Sequence, residues 1–528
     1  DGRAAGNGKS LSLLCFRPRI RQGDQVQQIE VRTHAEGASL PREQQLAWKI
    51  ASMAAANSSI DDDVTEMIGN RLIDNAAVAI AAVNRPPVRH ARLLALGYPH
   101  PHAGGARLFG LPSGTFHCEW AALANGVAVR ELDMHDCYLA ADYSHPGDTI
   151  PPLLAVAQQV GSSGLDLALG ILTAYETQMS LVTGICLHAL KIGRAAHLAP
   201  AVAAGIGTAI HLPVEVIYQS VNQSLHLACA TRQSRKGDIT SWKAYAPAQA
   251  GKTAIEAVGR ARLGERSPSP IYEGRDGVIA WLLGGPEATY TVRLPAAGER
   301  PRSIMDSYTK EHSAEYQAQA IIDIGFALHA RQLPLAEVED VLIETSHHTH
   351  YVIGTGSGDP EKMDPDASRE TLDHSAMYIL AVAWEDGRWH HADSYSSERA
   401  HRDSTVKLWR AIRTAESEEW THAYHDPDPH GKKFGGQVTV RLRDGSNLVE
   451  RLDNPNAHSM GARPFARADY VAKLETLTDG LAEPDELERF VGLVEKLTTL
   501  SPSQVKELSI GIPSDRLEDS TSDRVGVL

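Results

Sequence analysis

The sequence is short of cysteine, of aromatic side chains and of positive charge, and it has no long apolar run. Each shortage closes off a class of protein. Five cysteines in 528 residues, at positions 15, 118, 137, 186 and 229, form no CxxC pair and are too sparse for a disulfide framework. A reduced, cytoplasmic compartment is the expectation. An iron–sulfur centre needs three or four clustered thiolates, whereas Cys137, Cys186 and Cys229 stand far apart in unlike contexts. No cofactor is therefore expected. The longest apolar stretches are broken by Gln158, Gln159 and Asp166, or by His197 and His211, well before the roughly 20 residues that cross a bilayer. With 51 Lys and Arg against 66 Asp and Glu, the net charge of −15 argues against nucleic acid or an anionic membrane as partner. A polyanionic ligand would need a positive pocket inside this acidic shell.

What is present describes a globular protein, with 42% hydrophobic and 22% charged residues. A chain of this length exceeds one compact core and predicts two or three domains. Residues 1–40 read as a disordered leader: Arg3, Lys9, Arg17, Arg19 and Arg21 give the composition of a transit peptide, but the apolar patch at 11–16 is short. From Pro41 the period is helical, with Leu46, Ile50 and Met53, then Val64, Met67, Ile68, Leu72, Ile73 and Ala76. Asp61, Asp62 and Asp63 crowd the start of the second helix, where the dipole favours acids. Alanine-rich helices continue through residues 151–184, 195–221 and 214–228; their small side chains allow close approach in a bundle. Nothing before Ala261 alternates with period two, so this half is expected to be all-helical.

The character changes after about Gly285. Val338, Val341, Ile343 and Thr345 alternate as in a strand, and Asp444-Gly445 joins two strands in a hairpin. Helical periodicity returns over residues 469–500. The fold class is therefore α+β. A helical domain over 41–306 is resumed at 464–515, a smaller α+β domain at 307–463 is inserted into it, and 516–528 is a tail.

Proton-transfer chemistry points to the stretch from Asn125 to Asp148, NGVAVRELDMHDCYLAADYSHPGD. A helix ends here, and His145-Pro146-Gly147-Asp148 then halts regular structure. Asp133, Asp136, His135 and His145 fall together; imidazole titrates near neutral pH and a carboxylate can fix its tautomer. Acids and histidines are also common at helix ends without any such role. Four other clusters stand out. His197 heads the alanine-rich stretch 195–205, a place suited to a carboxylate ligand, or else it is a hydrogen-bonded core residue. Four cations, Arg232, Arg235, Lys236 and Lys243, lie close together in this acidic chain. A fourth cluster runs from Tyr308 to Gln319 with Lys310 and Glu315. The fifth is the run His347-His348-Thr349-His350-Tyr351 at a strand end. Its alternating side chains suit no zinc site and no HExxH accompanies them, so no metal is expected.

These segments resemble, in order, motifs of the MmgE/PrpD family. Leu132-Asp133-Met134-His135-Asp136 and His145-Pro146-Gly147-Asp148 match its aspartate-rich turn and HPS-type loop. His135 stands where an acid or amide is usual, and Gly147 replaces serine. His197, Lys243 ahead of Lys252, Lys310 with Glu315, Tyr351, and Gly461-Ala462-Arg463-Pro464 match further motifs, so the resemblance covers about residues 46–479. It implies a large helical domain built from both chain ends with an α+β lid, a homodimer, and a small tricarboxylate substrate. The implied reaction is removal of water from 2-methylcitrate; decarboxylation of cis-aconitate or turnover of another small polycarboxylate is the alternative. A non-catalytic polycarboxylate-binding protein is the reading outside enzymes. The implied roles are proton transfer by His145 with Asp133, departure of hydroxide assisted by Tyr351, and carboxylate binding by Lys243, His197 and Lys310. Glu315 is implied as a further substrate-binding residue, and glutamate there, where decarboxylase-type members tend to have histidine, leans toward dehydration.

Overall fold

Helix Gly164–Gly184 crosses helix Ala195–Ala209 at two glycines, where a Cβ on Gly205 would lie 2.6 Å from the Gly170 carbonyl oxygen. Such backbone-to-backbone approach is what the alanine- and glycine-rich composition permits. The computed structural model describes residues 26–518 apart from 36–38, 57–58, 102–103, 297–298, 427 and 429. Nine helices of ten residues or more, from Leu46–Ala55 to Trp242–Arg262, build the first half of the described chain. Their buried faces form one hydrophobic core that gathers side chains from Ile29 to Ile304 and again from Tyr470 to Leu517. Among the described residues no helix is long and apolar enough to cross a membrane.

A second core spans Ala314 to Val440. Its four-stranded sheet has the order Ile412–Glu416, Val338–Thr345, Gly436–Leu442, Asn447–Leu452; the first pair is parallel and the others antiparallel. Val341, Ile343, Val438 and Val440 turn inward against helices Gln319–Ala330 and Ala376–Asp386, the period-two burial the sequence shows. The Asp444-Gly445 turn joins the last two strands as expected. A small aromatic cluster of Cys137, Leu139, Tyr308, Tyr316, Tyr424 and Phe434 lies between the two cores.

Mixed α and β structure is borne out, but the first half is not all-helical. Val26–Arg32 pairs antiparallel with Thr289–Pro295, burying Ile29 and Val31 while Gln28 and Glu30 face out. This strand lies inside the stretch expected to be a disordered leader; its alternation is short, and its partner comes about 260 residues later. Residues 1–25 lie outside those described. Tyr138–Leu139 and Tyr143–Ser144 form a second small hairpin beside the proton-transfer loop. Beyond the last long helix, Leu508, Ile510, Ile512 and Leu517 enter the first core, and Ile510 accepts a backbone hydrogen bond from Gly110. The HHTHY run is not strand but a short helix, His347–Val352, because the Ser346 side chain caps it by accepting from the Thr349 amide.

Candidate active site

Helix Cys118–Glu131 ends at Leu132, and Asp133 follows with φ +50°, a left-handed conformation that aspartate tolerates better than most side chains. The turn carries its carboxylate into the interior, where three cations meet it. Arg130 Nη1 lies at 2.6 Å, Lys310 Nζ at 2.5 Å and Lys243 Nζ at 2.9 Å. Burial alone would raise the Asp133 pKa, but Arg130, Lys243 and Lys310 hold it well below the usual carboxylate range.

The HPGD loop supplies the imidazole. His145 Nδ1 stands 2.9 Å from the Asp136 carbonyl oxygen, which can only accept, so Nδ1 carries the proton and Nε2 keeps its lone pair. Burial, together with Arg194, Arg130 and Lys310, keeps the ring neutral by moving its pKa well below the ordinary value. Asp133 Oδ1 is 3.8 Å from Nε2, so the tautomer is fixed by the Asp136 backbone rather than by Asp133. Asp136 is itself held: its Oδ1 accepts from the Gly147 amide at 2.7 Å and its Oδ2 from Tyr175 at 2.8 Å. A Cβ on Gly147 would lie 2.6 Å from that Oδ1, which is why this loop carries glycine. His135 pairs with Asp148 at 2.9 Å beneath the loop.

His145, Asp133, Glu315 and His374 face one narrow cavity of about 20 Å³, ringed by Arg130, Arg194, Arg232 and Arg235. Glu315 caps a single turn, its Oε2 accepting from the Gln317 amide at 2.6 Å. Burial raises its pKa to about 7 against the pull of Lys310, so it holds a proton near neutrality. His374 is tied to Asp373, and burial beside Lys243 lowers its pKa to about 3.

Asp133, Asp373 and His374 have the donor types and closeness of a cation site. The Lys243 ammonium already occupies that place, 2.7 Å and 2.8 Å from the two Asp373 oxygens and 3.5 Å from His374 Nδ1. A second trio, Glu311, His312 and Asp323, carries the guanidinium of Arg463 on Glu311. The four described cysteines are all free thiols, and Cys137 Sγ packs 3.1 Å from His145 Nδ1.

The structure thus brings together Asp133, His145, Lys243, Lys310 and Glu315. Two expected residues lie elsewhere. His197 is a buried core residue whose Nε2 bonds the Ile185 carbonyl oxygen at 3.0 Å, and burial lowers its pKa to about 4. Arg194, one turn earlier, reaches the cavity instead. Tyr351 is 49% exposed and its ring packs at an angle against His347 and edge-on against His350, because the helical turn at 347–352 rotates it outward. Sequence reasoning missed Arg130, Arg194, Tyr143 and His374 as lining residues. The cation cluster before Lys243 was a usable signal for Arg232 and Arg235.

Residues 44–291 match the MmgE/PrpD N-terminal domain and residues 312–499 the MmgE/PrpD C-terminal domain. The mitochondrial 2-methylcitrate dehydratase of Yarrowia lipolytica is 25% identical over 63% of this chain and 65% of its own length. The 2-methylcitrate dehydratase of Salmonella typhimurium is 24% identical over 67% of this chain and 73% of its own. The cis-aconitate decarboxylase of Mus musculus is 23% identical over 78% of this chain and 82% of its own. The chain spans a little under two thirds of the Yarrowia protein and of the probable 2-methylcitrate dehydratase of Saccharomyces cerevisiae, 65% of each. With both domain descriptions matched in order over most of its length, the chain belongs to the MmgE/PrpD family.

Proposed function

We propose that this protein is a hydro-lyase that removes water from 2-methylcitrate to give 2-methylaconitate, in the methylcitrate cycle of propionate breakdown. The observation that carries the reading is His145. It is a neutral imidazole with Nδ1 engaged on a backbone carbonyl and Nε2 free, in a cavity of arginines that also holds a carboxyl titrating near 7. Nε2 takes the C–H proton beside a substrate carboxylate, and the C–H electron pair becomes the new double bond. Glu315 gives its proton to the departing hydroxide, which leaves as water. Glu315 replaces Tyr351 as the acid, because Tyr351 does not reach the cavity. The positive surroundings stabilise charge gathering on the carboxylate.

A cavity of about 20 Å³ accommodates a water but not a seven-carbon acid, so binding requires the part around the second core to move as a lid from the first. The chemistry assigns no step to a cofactor, and Lys243 fills the buried donor set of Asp133, Asp373 and His374. Free thiols suit a cytoplasmic setting, and a homodimer remains the assembly proposed.

Decarboxylation of cis-aconitate is the second reading, favoured by the longer match to the mouse relative of that name. Incubation with 2-methylcitrate, citrate and cis-aconitate separates the two: dehydration raises ultraviolet absorbance, decarboxylation releases carbon dioxide. A folded His145→Ala protein is expected to turn over about 10²–10⁴-fold more slowly; unchanged turnover would remove His145 from the mechanism.

A further inference from the structure

Most of the cations around the cavity are already matched by acids. Arg130, Lys243 and Lys310 share Asp133, Lys243 also takes Asp373, and Lys362 pairs with Asp359 at 2.6 Å. Three guanidinium groups are left. Among the described residues, no ion pair with a carboxylate involves Arg194, Arg232 or Arg235. Arg235 donates only to the backbone and side chain of Ser234 and to the Lys243 carbonyl, and Arg232 to the Tyr143 hydroxyl. Arg194 is the plainest case, with Nε and Nη2 buried and lacking any hydrogen-bond partner. Burial and the neighbouring Arg130 push its pKa down, and burial with Arg194 does the same to Arg235. Cations placed this way raise the energy of the empty protein unless an anion arrives.

The three come from two segments, the residue preceding helix Ala195–Ala209 and the turn Arg232–Arg235. They also line an adjoining groove that includes the half-exposed Trp242, so the positive track runs from the outside toward His145. Guanidinium groups grip carboxylates through two parallel hydrogen bonds, a geometry an ammonium lacks. We infer that Arg194, Arg232 and Arg235 are the carboxylate receptor of this cavity, and that they select ligands with three carboxylates over ligands with two. The inference rests on the polycarboxylate reading of the same site. It moves substrate binding away from Lys243 and Lys310, whose charge Asp133 and Asp373 already meet. A dicarboxylate would leave one guanidinium bare.

The test is calorimetric titration of the full chain with tricarballylate, which has three carboxylates and no hydroxyl to lose, and with glutarate, which has two. The wild type should bind tricarballylate about tenfold or more tightly than glutarate, since one buried charge pair contributes at least that factor. Arg194→Gln and Arg235→Gln should each weaken tricarballylate by about 10–100-fold, and Arg194→Lys should fall between. Without ligand, Arg194→Gln should melt no lower than the wild type, because it removes a buried cation that has no ion-pair partner among the described residues and whose Nε and Nη2 lack a hydrogen bond. A lower melting point with unchanged tricarballylate affinity would make Arg194 a structural residue and overturn the inference. Equal wild-type affinity for the two acids would overturn it as well. Selective tricarballylate binding by a protein that leaves 2-methylcitrate unchanged would sink the dehydratase reading while leaving the receptor in place.

Discussion

Lys310 reaches across 177 residues of sequence to place its ammonium 2.9 Å from the Asp133 carbonyl oxygen and 2.5 Å from Asp133 Oδ1. Asp133 leaves a helix of the first core; Lys310 starts the segment that leads into the second. Their contact closes one wall of the cavity and ties the His145 loop to the Glu315 turn. Asp133→Asn would leave Lys310, Lys243 and Arg130 facing an uncharged amide. The expected cost is about 3–5 kcal/mol, the usual penalty for stripping a buried ion cluster of its partner. Denaturant unfolding of wild type and variant measures it; a loss below about 1 kcal/mol, the surface-pair range, would show that the cluster is not acting as a buried network.

Glu315 should set the alkaline side of the pH profile. Its pKa is raised by burial to about 7 from an ordinary 4.5, and the acid must be protonated to release hydroxide as water. Turnover should therefore decline as pH rises through about 7. Glu315→Gln should lower turnover by about 10²–10⁴-fold and abolish that limb. Between 4.5 and about 7 the folded protein keeps a proton that the unfolded chain has lost, so the stability this group contributes also falls as pH climbs through that window. An unaltered alkaline limb in Glu315→Gln would assign the acid elsewhere.

Gly147 sits in the turn that follows His145. Here a Cβ would sit 2.6 Å from Asp136 Oδ1 and 3.0 Å from Asn75 Nδ2, both buried. Moving Asp136 moves the carbonyl that fixes His145 Nδ1. Gly147→Ser should then cut turnover by about tenfold, up to about 10²-fold, through misplacement of the base, with a smaller effect on tricarballylate affinity. Steady-state kinetics beside the calorimetry would show the split; an active Gly147→Ser enzyme would mean that the loop yields without disturbing His145.

His197 and Tyr351 give opposite controls. His197→Ala removes a buried hydrogen bond and leaves a hole, so it should cost about 2–4 kcal/mol while the folded fraction keeps its turnover. Tyr351→Phe removes a hydroxyl from an exposed ring and should change stability by no more than about 0.5 kcal/mol. Urea unfolding with activity measured per folded molecule checks both. A collapse of turnover in a stable Tyr351→Phe protein would restore the tyrosine as a participant through lid motion.

The amino-acid sequence by itself determined much of the local structure and marked the residues from which the proton-transfer reading starts. Helical spacing in 62–81 and 164–184, alternation at Val341 and Ile343 and the Asp-Gly hairpin are short-range signals, set by side chains a few residues apart, whereas His145-Pro146-Gly147-Asp148 opens helical structure instead of halting it. Asp133 and His145 were legible for the same reason, being neighbours on one loop. Tertiary structure alone decided which charges are spent and which are free. Lys243 and Arg194 look alike as isolated cations, yet one meets Asp373 from 130 residues away and the other makes no ion pair with a carboxylate among the described residues. It also decided which side of a turn faces the cavity, taking Arg194 and leaving His197 in the core. The state of a buried charge depends on partners that only the folded chain assembles, whereas periodicity and turn chemistry are already complete in the linear order of residues.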